Sequence, residues 1–355
     1  MSEPITRPDG LYFGLAETAY HADLALGSSD IRLLLRSPPD WWWQSAMNPM
    51  RPLDKDTPAK LYGRALHKLV LEGTEAFQAV FCKEPDKRDH PGALVTIADC
   101  EAFLAGKEIA PLGSKARKAD FEKAARAAGA LIWSDIVAAH TAGDRTPIKP
   151  EMHDEIVMAA AQIARSETLR NAFTNGRAEV SVFWTIDGVR CKARFDYLKV
   201  RPLIDLKSFR NTLGDAPVDR IVAHAIAQRR LDVQAAHYLR ARRIVKQFVE
   251  AKMVTVLGGP GVSADWLQAV ADESEFEHWL VFFQAEGAPV VLMRRFKPGS
   301  PVIQMATMDV DRGLQVYRDN YARYGAESPW SYDDPMVDPD VDFDMLPKWM
   351  SAEIV

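Results

Sequence analysis

The sequence predicts an α/β fold in which a central mixed sheet is flanked by helices. Apolar residues recur with the helical period of 3.6 before residue 176 and again over 219–252. Between 180 and 209 they alternate with a period of two, as expected for strands whose two faces differ. Two further strand patterns, 278–285 and 289–296, follow the second helical stretch, so strands and helices are interleaved along the chain. With 47% apolar and 26% charged residues, a chain of 355 residues can bury a sizeable core.

The N-terminal part of the chain predicts short helices. Residues 1–60 have the pattern of short helices and turns, including a helix over 31–36 that the polar caps at 28–30 begin. From 59 to 71 the apolar residues have helical spacing. This spacing places Gly63 and His67 one turn apart on the same helix face.

The stretch 82–150 is rich in Ala, Lys and Glu and predicts a helical elaboration with joints at Pro and Gly residues. Residues 151–173 predict a further helix. We assign residues 1–329 to a single domain that carries this elaboration, and 330–355 to a separate acidic tail.

The segment 180–209 predicts three consecutive strands. The first runs to Ile186, and Asp187-Gly188 is the dipeptide that a type I′ hairpin turn prefers. The second strand returns over 189–196, and a third covers 203–209.

The remaining elements follow the sheet strands. Residues 219–252 predict a helix or a pair of helices, and 309–324 predict a closing helix. No internal repeat is present in the sequence.

Charge is distributed unevenly along the chain. The formal net charge is −5, which at face value disfavours a polyanionic partner such as DNA. The tail 330–355 alone carries seven acidic residues and one lysine, whereas 201–250 carries ten basic and five acidic residues. The basic segment makes a phosphate-binding surface plausible, although charge runs are more often solvated faces. For the tail we consider three roles: it covers the basic surface, joins a subunit contact, or recruits a partner.

Several classes of protein are disfavoured by composition. Three widely separated cysteines, Cys82, Cys100 and Cys191, provide neither a disulfide framework nor the ligands of a zinc or iron–sulfur site. The sequence contains neither the apolar run of a secretory signal nor one of the roughly 20 residues needed to span a bilayer. We therefore expect a soluble, intracellular protein.

The third predicted strand carries the residues that suggest chemistry. Asp205 and Lys207 are two residues apart and share one strand face, whereas Leu206 points the opposite way, into packing. If the strands pair in sequence order, Asp196 of the preceding strand joins them. Two carboxylates suit Mg²⁺, which takes one or two protein carboxylates together with waters and substrate phosphate. The chemistry implied is metal-assisted phosphodiester hydrolysis, and the alternative is a cross-strand salt bridge.

Four short motifs occur in a fixed order around this strand, including a pair at i and i+4 on the following helix. They resemble the RecE/RecB-like, exonuclease VIII-type branch of the PD-(D/E)xK nuclease superfamily, as found in phages and prophages. That branch carries a GxxxH helix, a hairpin ending in Asp, a DxK strand and a QxxxY helix. The corresponding segments of this chain are Gly63-Arg-Ala-Leu-His67, Arg194-Phe-Asp196, Asp205-Leu-Lys207 and Gln234-Ala-Ala-His-Tyr238. The resemblance covers roughly residues 15–325 and implies a PD-(D/E)xK restriction-endonuclease-like core.

The resemblance also implies a role for each motif residue. Asp196, Asp205 and the carbonyl of Leu206 would bind Mg²⁺ or Mn²⁺, and His67 would be a further ligand or would orient the water at the metal. Lys207 would position or activate the attacking water. Gln234 and Tyr238 would contact the substrate phosphate or brace the lysine. The residue before Asp196 is Phe195, where the superfamily pattern has proline, and Glu179 is either an additional acidic group at the metal or an exposed carboxylate.

The activity implied by the resemblance is a Mg²⁺-dependent exodeoxyribonuclease that digests linear double-stranded DNA. Relatives resect 5′ ends, leave a 3′ overhang for a single-strand annealing protein, and form rings around DNA. The same resemblance implies a cytoplasmic protein of a bacterial or phage-infected cell, without a membrane partner. We expect a subset of the arginines near the motifs to contact DNA phosphates, the candidates being Arg194, Arg210, Arg229, Arg230 and Arg240.

Two alternatives stay open. The first is a nuclease of the same superfamily with a different function, such as an endonuclease, another DNA-repair nuclease or a CRISPR-adaptation-type nuclease. Only the form of the last that holds an iron–sulfur cluster is excluded, because it needs four cysteines and the chain has three. The second is a non-catalytic DNA-binding protein that keeps the fold, against which the intact Asp196, Asp205 and Lys207 argue.

Overall fold

The structure, a computed structural model, describes residues 6–331 except 53–56, 114, 142, 260, 286 and 289. The strands of these ranges are β1 (Gly10–Phe13), β2 (Phe81–Lys83), β3 (Thr146–Ile148), β4 (Arg177–Ile186), β5 (Val189–Leu198), β6 (Pro202–Phe209), β7 (Val254–Val256), β8 (Glu277–Gln284) and β9 (Val291–Phe296). The α-helices are α1 (Glu17–His21), α2 (Ser28–Arg36), α3 (Pro38–Gln44), α4 (Pro58–His67), α5 (Gly73–Val80), α6 (Ile97–Gly106), α7 (Lys118–Ala127), α8 (Trp133–His140), α9 (Pro150–Arg165), α10 (Glu167–Arg170), α11 (Val218–Gln228), α12 (Leu231–Glu250), α13 (Ala264–Asp272) and α14 (Pro301–Tyr324). A π-helical segment, Lys68–Glu72, continues directly from α4.

Seven strands form a mixed sheet in the order β7-β1-β4-β5-β6-β8-β9. The pairs β1/β7 and β6/β8 are parallel, and the other neighbours are antiparallel. Helices α2, α12 and α14 pack on one face of the sheet, and α4 and α9 pack on the other. The predicted α/β class, with a central mixed sheet flanked by helices, is confirmed.

Strand β6 distributes its side chains between the two faces. Ile204 and Leu206 are buried with helices α4 and α9, whereas Leu203 is buried in the core that includes α12. Because side chains alternate along a strand, Asp205 and Lys207 share the face of Leu203 and project toward α12.

Strands β4 and β5 form the predicted hairpin. The turn residues Asp187 and Gly188 have φ values of +47° and +77°, the positive angles that a type I′ turn requires at both central positions. The ladder is interrupted near its far end, between the pairs Ala178–Tyr197 and Val180–Phe195. Glu179, at the interruption, has a left-handed φ of +54°, a strained conformation for a residue with a side chain.

Strands β5 and β6, both fully described, pair at two positions only, Tyr197 with Ile204 and Leu198 with Leu203. Strand β6 in contrast pairs with β8 along its whole length. The two strands therefore diverge beyond Tyr197, and we call this opening the fork. Continuing the register by one position places Asp196 opposite Asp205 at the start of the fork.

The sheet contains short strands that the sequence analysis missed. Residues 1–60 were expected to form only helices and turns, yet Gly10–Phe13 is a strand of the main sheet. The edge strand Val254–Val256 was not predicted, nor was the parallel pair of β2 and β3. Strands of three or four residues are too short to establish a period of two in the sequence.

The closing helix begins at Pro301, eight residues before the predicted start. Proline suits the first turn of a helix, whose N–H groups have no partner within the helix. Val302, Met305 and Met308 on this part of the helix are exposed apolar residues, which obscures the amphipathic pattern.

Within the predicted elaboration 82–150, helices α6 and α7 pack around their own apolar cluster, which includes Cys100, Leu104 and Phe121. The assignment of 1–329 to a single domain stays a prediction. Only Trp330 and Ser331 of the predicted acidic tail belong to the described residues; all seven of its acidic residues lie outside them. Within the described ranges, no helix combines the length and the apolar character needed to cross a membrane.

Helices α14 and α2 approach closely at Gly313, which leads to a prediction about stability. A Cβ atom at Gly313 would lie 2.8 Å from Cγ2 of Ile31, so Gly313→Ala overpacks the contact. We expect it to lower the free energy of unfolding by about 1–3 kcal/mol, although alanine favours helices. Gly63→Ala on α4 is the matched control, because its Cβ meets no atom within 4 Å, and it should raise stability by up to about 1 kcal/mol. Urea unfolding measures both, and a stabilised Gly313→Ala variant would show that the helices are not in tight contact.

Candidate active site

The carboxylate of Asp196 is buried at the fork and reaches across to β6. Its Oδ2 accepts a hydrogen bond from the backbone N–H of Leu206 at 2.8 Å and lies 3.7 Å from Nδ1 of His67. Burial, and then repulsion from Asp205, raise the pKa of Asp196 well above its ordinary value of 3.8. The site thus opposes full ionisation of its two carboxylates in the absence of a further cation.

Asp205 is the more deeply buried of the two carboxylates, with 1% of its surface exposed. Its Oδ2 forms an ion pair with the ammonium of Lys207, and its Oδ1 accepts a hydrogen bond from Nε2 of Gln234 at 3.0 Å. Burial of Lys207 would favour its neutral form, but Asp205 and Asp196 outweigh that effect and raise the pKa of the lysine above 10.5. Lys207 is therefore an ammonium group that can donate hydrogen bonds and offset negative charge, but it does not accept a proton.

His67 fixes the backbone of the same strand from the opposite helix layer. Its Nε2 lies 2.9 Å from the carbonyl oxygen of Leu206, and since a carbonyl only accepts, this nitrogen is the donor. In a neutral ring, Nδ1 then carries the lone pair and faces Asp196. Both backbone polar groups of Leu206 are thus bound by side chains, its N–H by Asp196 and its C=O by His67.

Helix α12 supplies the predicted pair Gln234 and Tyr238. Gln234 hydrogen-bonds with both Asp205 and Tyr238, so the side chains form a chain of contacts. The Tyr238 ring packs against Phe195 and His278, each at a centroid distance of 5.6 Å. Burial raises the pKa of Tyr238 well above 10, so its hydroxyl stays protonated.

These groups meet at a cavity of about 1950 Å³. His67, Asp196, Lys207, Gln234 and Tyr238 all contribute to its wall. The wall also contains ten Lys and Arg residues against six Asp and Glu, namely Arg32, Arg51, Lys60, Arg64, Lys68, Arg177, Lys192, Arg194, Lys207 and Arg229 against Glu17, Asp23, Asp30, Glu72, Glu179 and Asp196. The excess of positive charge suits an anionic ligand.

The five arginines proposed from sequence as DNA contacts divide into two groups. Arg194, ion-paired with Glu179, and Arg229, which donates to the carbonyl of Ser208 at 2.7 Å, belong to the cavity wall. The cavity wall does not include the other three. Arg230 is ion-paired with Asp232 and Asp309, Arg240 is ion-paired with Asp311, and Arg210 follows the end of β6.

Several cations in the wall were not identified from sequence. Lys60, Arg64 and Lys68 follow one another at intervals of four residues along one helix face that leads to His67, and this spacing was a usable signal. Arg32 of α2 donates to the carbonyls of Ser28 and Arg229 and interacts electrostatically with Asp205 and Lys207. No sequence pattern connects Arg32 to this site, because only the fold brings α2 beside α12 and the cavity.

The donor set at the fork fits a hard divalent cation. Two buried carboxylates, Asp196 and Asp205, interact electrostatically, and Leu206 follows Asp205 and donates its N–H to Asp196. The part of the chain that the structure describes holds no group of three or more His, Cys, Asp and Glu side chains arranged to bind a metal. A site with few protein ligands is the kind that Mg²⁺ occupies, since it retains several waters.

We expect cation binding at these carboxylates to displace a proton from Asp196. Because the raised pKa favours its protonated form, and a cation favours the ionised form, Mg²⁺ should bind more tightly as the pH rises. Titration calorimetry at pH 6 in two buffers of different ionisation enthalpy measures the released proton. Asp196→Asn should remove the dependence on buffer, and an enthalpy that is the same in both buffers for the unmodified protein would contradict the assignment.

No family model matches the chain, and no curated protein matches its sequence. One solved structure that is similar to it is described as a "putative exonuclease" from Eubacterium rectale, with 14% sequence identity and a TM-score of 0.39. The alignment covers 83% of this chain and 82% of that one. A likeness of this degree assigns no function.

Proposed function

We propose that the protein is a metal-dependent deoxyribonuclease, and specifically an exonuclease that digests linear double-stranded DNA with Mg²⁺, or Mn²⁺ in its place. The observation that carries the proposal is a pair of buried carboxylates, Asp196 and Asp205, that repel one another beside Lys207. Asp196 and Lys207 belong to the wall of a cavity in which basic residues outnumber acidic ones. A structural salt bridge would need one carboxylate for one lysine. The second buried carboxylate adds repulsion, which a divalent cation would relieve.

Each residue of the site has a task in this proposal. Asp196, Asp205 and the carbonyl of Leu206 would hold the cation, which when bound would supply Lewis-acid stabilisation of charge on the phosphate. The Nε2–H of His67 holds the Leu206 carbonyl in place, so His67 is a positioning residue, and its Nδ1 is directed to the Asp196 side. Lys207 would donate to the phosphate oxygens as negative charge builds on them.

The remaining polar groups would hold these side chains and the substrate in position. Gln234 holds Asp205 on the side away from Lys207, and Tyr238 holds Gln234. Arg32, Arg194 and Arg229 would bind the sugar–phosphate backbone on either side of the scissile bond, because guanidinium groups match phosphate geometry.

Digestion of matched DNA substrates tests the activity. We expect a linear duplex to be degraded with Mg²⁺, a covalently closed circle of the same sequence to resist, and Lys207→Ala to leave both intact. Lys246→Ala, a change at an exposed lysine outside the cavity wall, is the control for loss of a positive charge. Cutting of the closed circle would instead indicate an endonuclease. If the folded protein cleaves neither substrate with any divalent cation but binds DNA, it is a binding module.

The finer parts of the proposal are tested separately. Membership of the RecE-type branch implies 5′-to-3′ resection, so labels at the 5′ end should be released first and a 3′ overhang should accumulate. It also implies a ring-shaped homo-oligomer and a single-strand annealing protein as partner. Light scattering of the full chain measures the oligomeric state, and co-purification with a single-strand annealing protein tests the partner.

A further inference from the structure

The described chain ends beside the cavity, at a fixed point. Trp330 is buried, its ring lies 4.8 Å from that of Trp41 and 5.8 Å from that of Tyr317, and its Nε1 donates to the carbonyl of Gly325. Trp41 itself contributes to the cavity wall, as do Trp43 and the residues that follow it. Trp330, two residues before the segment 332–355, therefore contacts a residue of the cavity wall.

This segment and the cavity have opposite charges. Residues 332–355 carry six aspartates and Glu353 against Lys348 alone, while basic residues outnumber acidic ones in the cavity wall by ten to six. Twenty-four residues can extend over roughly 80 Å at about 3.3 Å each, so the whole cavity is within reach of the anchor. A tether of this kind also holds the segment at an effective concentration in the millimolar range.

We infer that residues 332–355 bind in the cavity of their own chain, with their aspartates against the cations of its wall. The segment is then an intramolecular competitor for the surface that DNA phosphates would use. The binding itself does not depend on the proposed function, and only the competition with DNA rests on it. The interaction is electrostatic, and dissolved ions screen it, so the binding weakens as the ionic strength rises.

Binding in trans tests the inference without DNA or metal. The chain is truncated after Ser331, which keeps the Trp330 anchor, and a fluorescein-labelled peptide of residues 332–355 is titrated with it in EDTA. We expect saturable binding with a dissociation constant on the order of 0.1 mM, and at least a tenfold weakening in 0.5 M salt. The cavity variant Lys60→Gln/Arg64→Gln should bind the peptide several-fold more weakly. The matched variant Arg243→Gln/Lys246→Gln, whose exposed cations lie outside this cavity wall, should bind it as the unmodified truncated chain does.

The full-length chain provides the second measurement and does not depend on the truncation being stable. Changing the six aspartates of 332–355 to asparagine should tighten binding of an uncleaved DNA duplex in EDTA by about tenfold. This is the factor expected when a tethered competitor has an effective concentration of about 1 mM and a dissociation constant of about 0.1 mM. Neutralising six exposed carboxylates elsewhere, among them Glu101 and Glu108, controls for net charge and should change the affinity much less.

Two results would overturn the inference: no peptide binding at millimolar concentration, or peptide binding that the cavity variant leaves unchanged. Peptide binding that depends on Lys60 and Arg64 without any DNA binding would instead retain the inference and remove the proposed function.

Discussion

Replacing Asp205 by asparagine is expected to abolish DNA cleavage while DNA binding survives. The amide keeps the shape of the side chain and can still hydrogen-bond with Gln234, but it removes the charge that pairs with Lys207 and would hold the cation. The Lewis-acid contribution of a metal is several kcal/mol, so the cleavage rate should fall by about a thousandfold or more. Single-turnover digestion of a linear duplex measures the rate, and gel shift in EDTA measures binding.

Asp319→Asn is the matched control, because this carboxylate is exposed on α14 and pairs with Gln315 away from the cavity. It should cleave as fast as the unmodified protein. Equal cleavage by Asp205→Asn and Asp319→Asn would remove Asp205 from the proposed metal site.

Asp196→Asn is expected to abolish cleavage and, in the absence of metal, to make the protein more stable. Because the folded state binds the proton of Asp196 more tightly than the unfolded chain does, its ionisation destabilises the fold as the pH rises above 3.8. The neutral amide avoids this penalty, and its oxygen can still accept from the N–H of Leu206. We expect the free energy of unfolding to rise by about 1–3 kcal/mol at pH 8.

Urea unfolding at pH 8, with and without Mg²⁺, measures this effect. Mg²⁺ should stabilise the unmodified protein by mass action and leave Asp196→Asn almost unchanged. The gain in stability from the substitution should also shrink as the pH is lowered toward 4. A destabilised Asp196→Asn variant would show that the carboxylate contributes to the fold rather than opposing it.

Sequence periodicity placed the chemical groups on the correct elements, but it could not supply the geometry between elements. The period of two puts Asp205 and Lys207 on one face of a strand, and the helical period puts Gln234 beside Tyr238, because both rules depend on near neighbours in the chain. The interruption of the ladder at Glu179, where the backbone is left-handed, has no comparable signal in the sequence.

Charge in the sequence was a poorer guide than periodicity. Arg230 and Arg240 belong to the most basic segment, yet both are ion-paired with carboxylates of α14, which lies about 70 residues later in the chain. Arg32, in contrast, belongs to no basic run and reaches the site because α2 packs beside α12. Partners distant in sequence decide which cations remain for a ligand, and composition does not reveal them.

The fork between β5 and β6 has a mechanical consequence. Asp196 belongs to a strand supported by β4, and Asp205 to a strand supported along its full length by β8. The two supports are joined at this point by two residue pairs, by the short connection at 199–201 and by the hydrogen bond from the Leu206 N–H to Asp196. The distance between the two carboxylates therefore depends on the length and conformation of this connection. Lengthening that connection by a single residue, far from any reacting atom, would change the gap in which a cation has to fit.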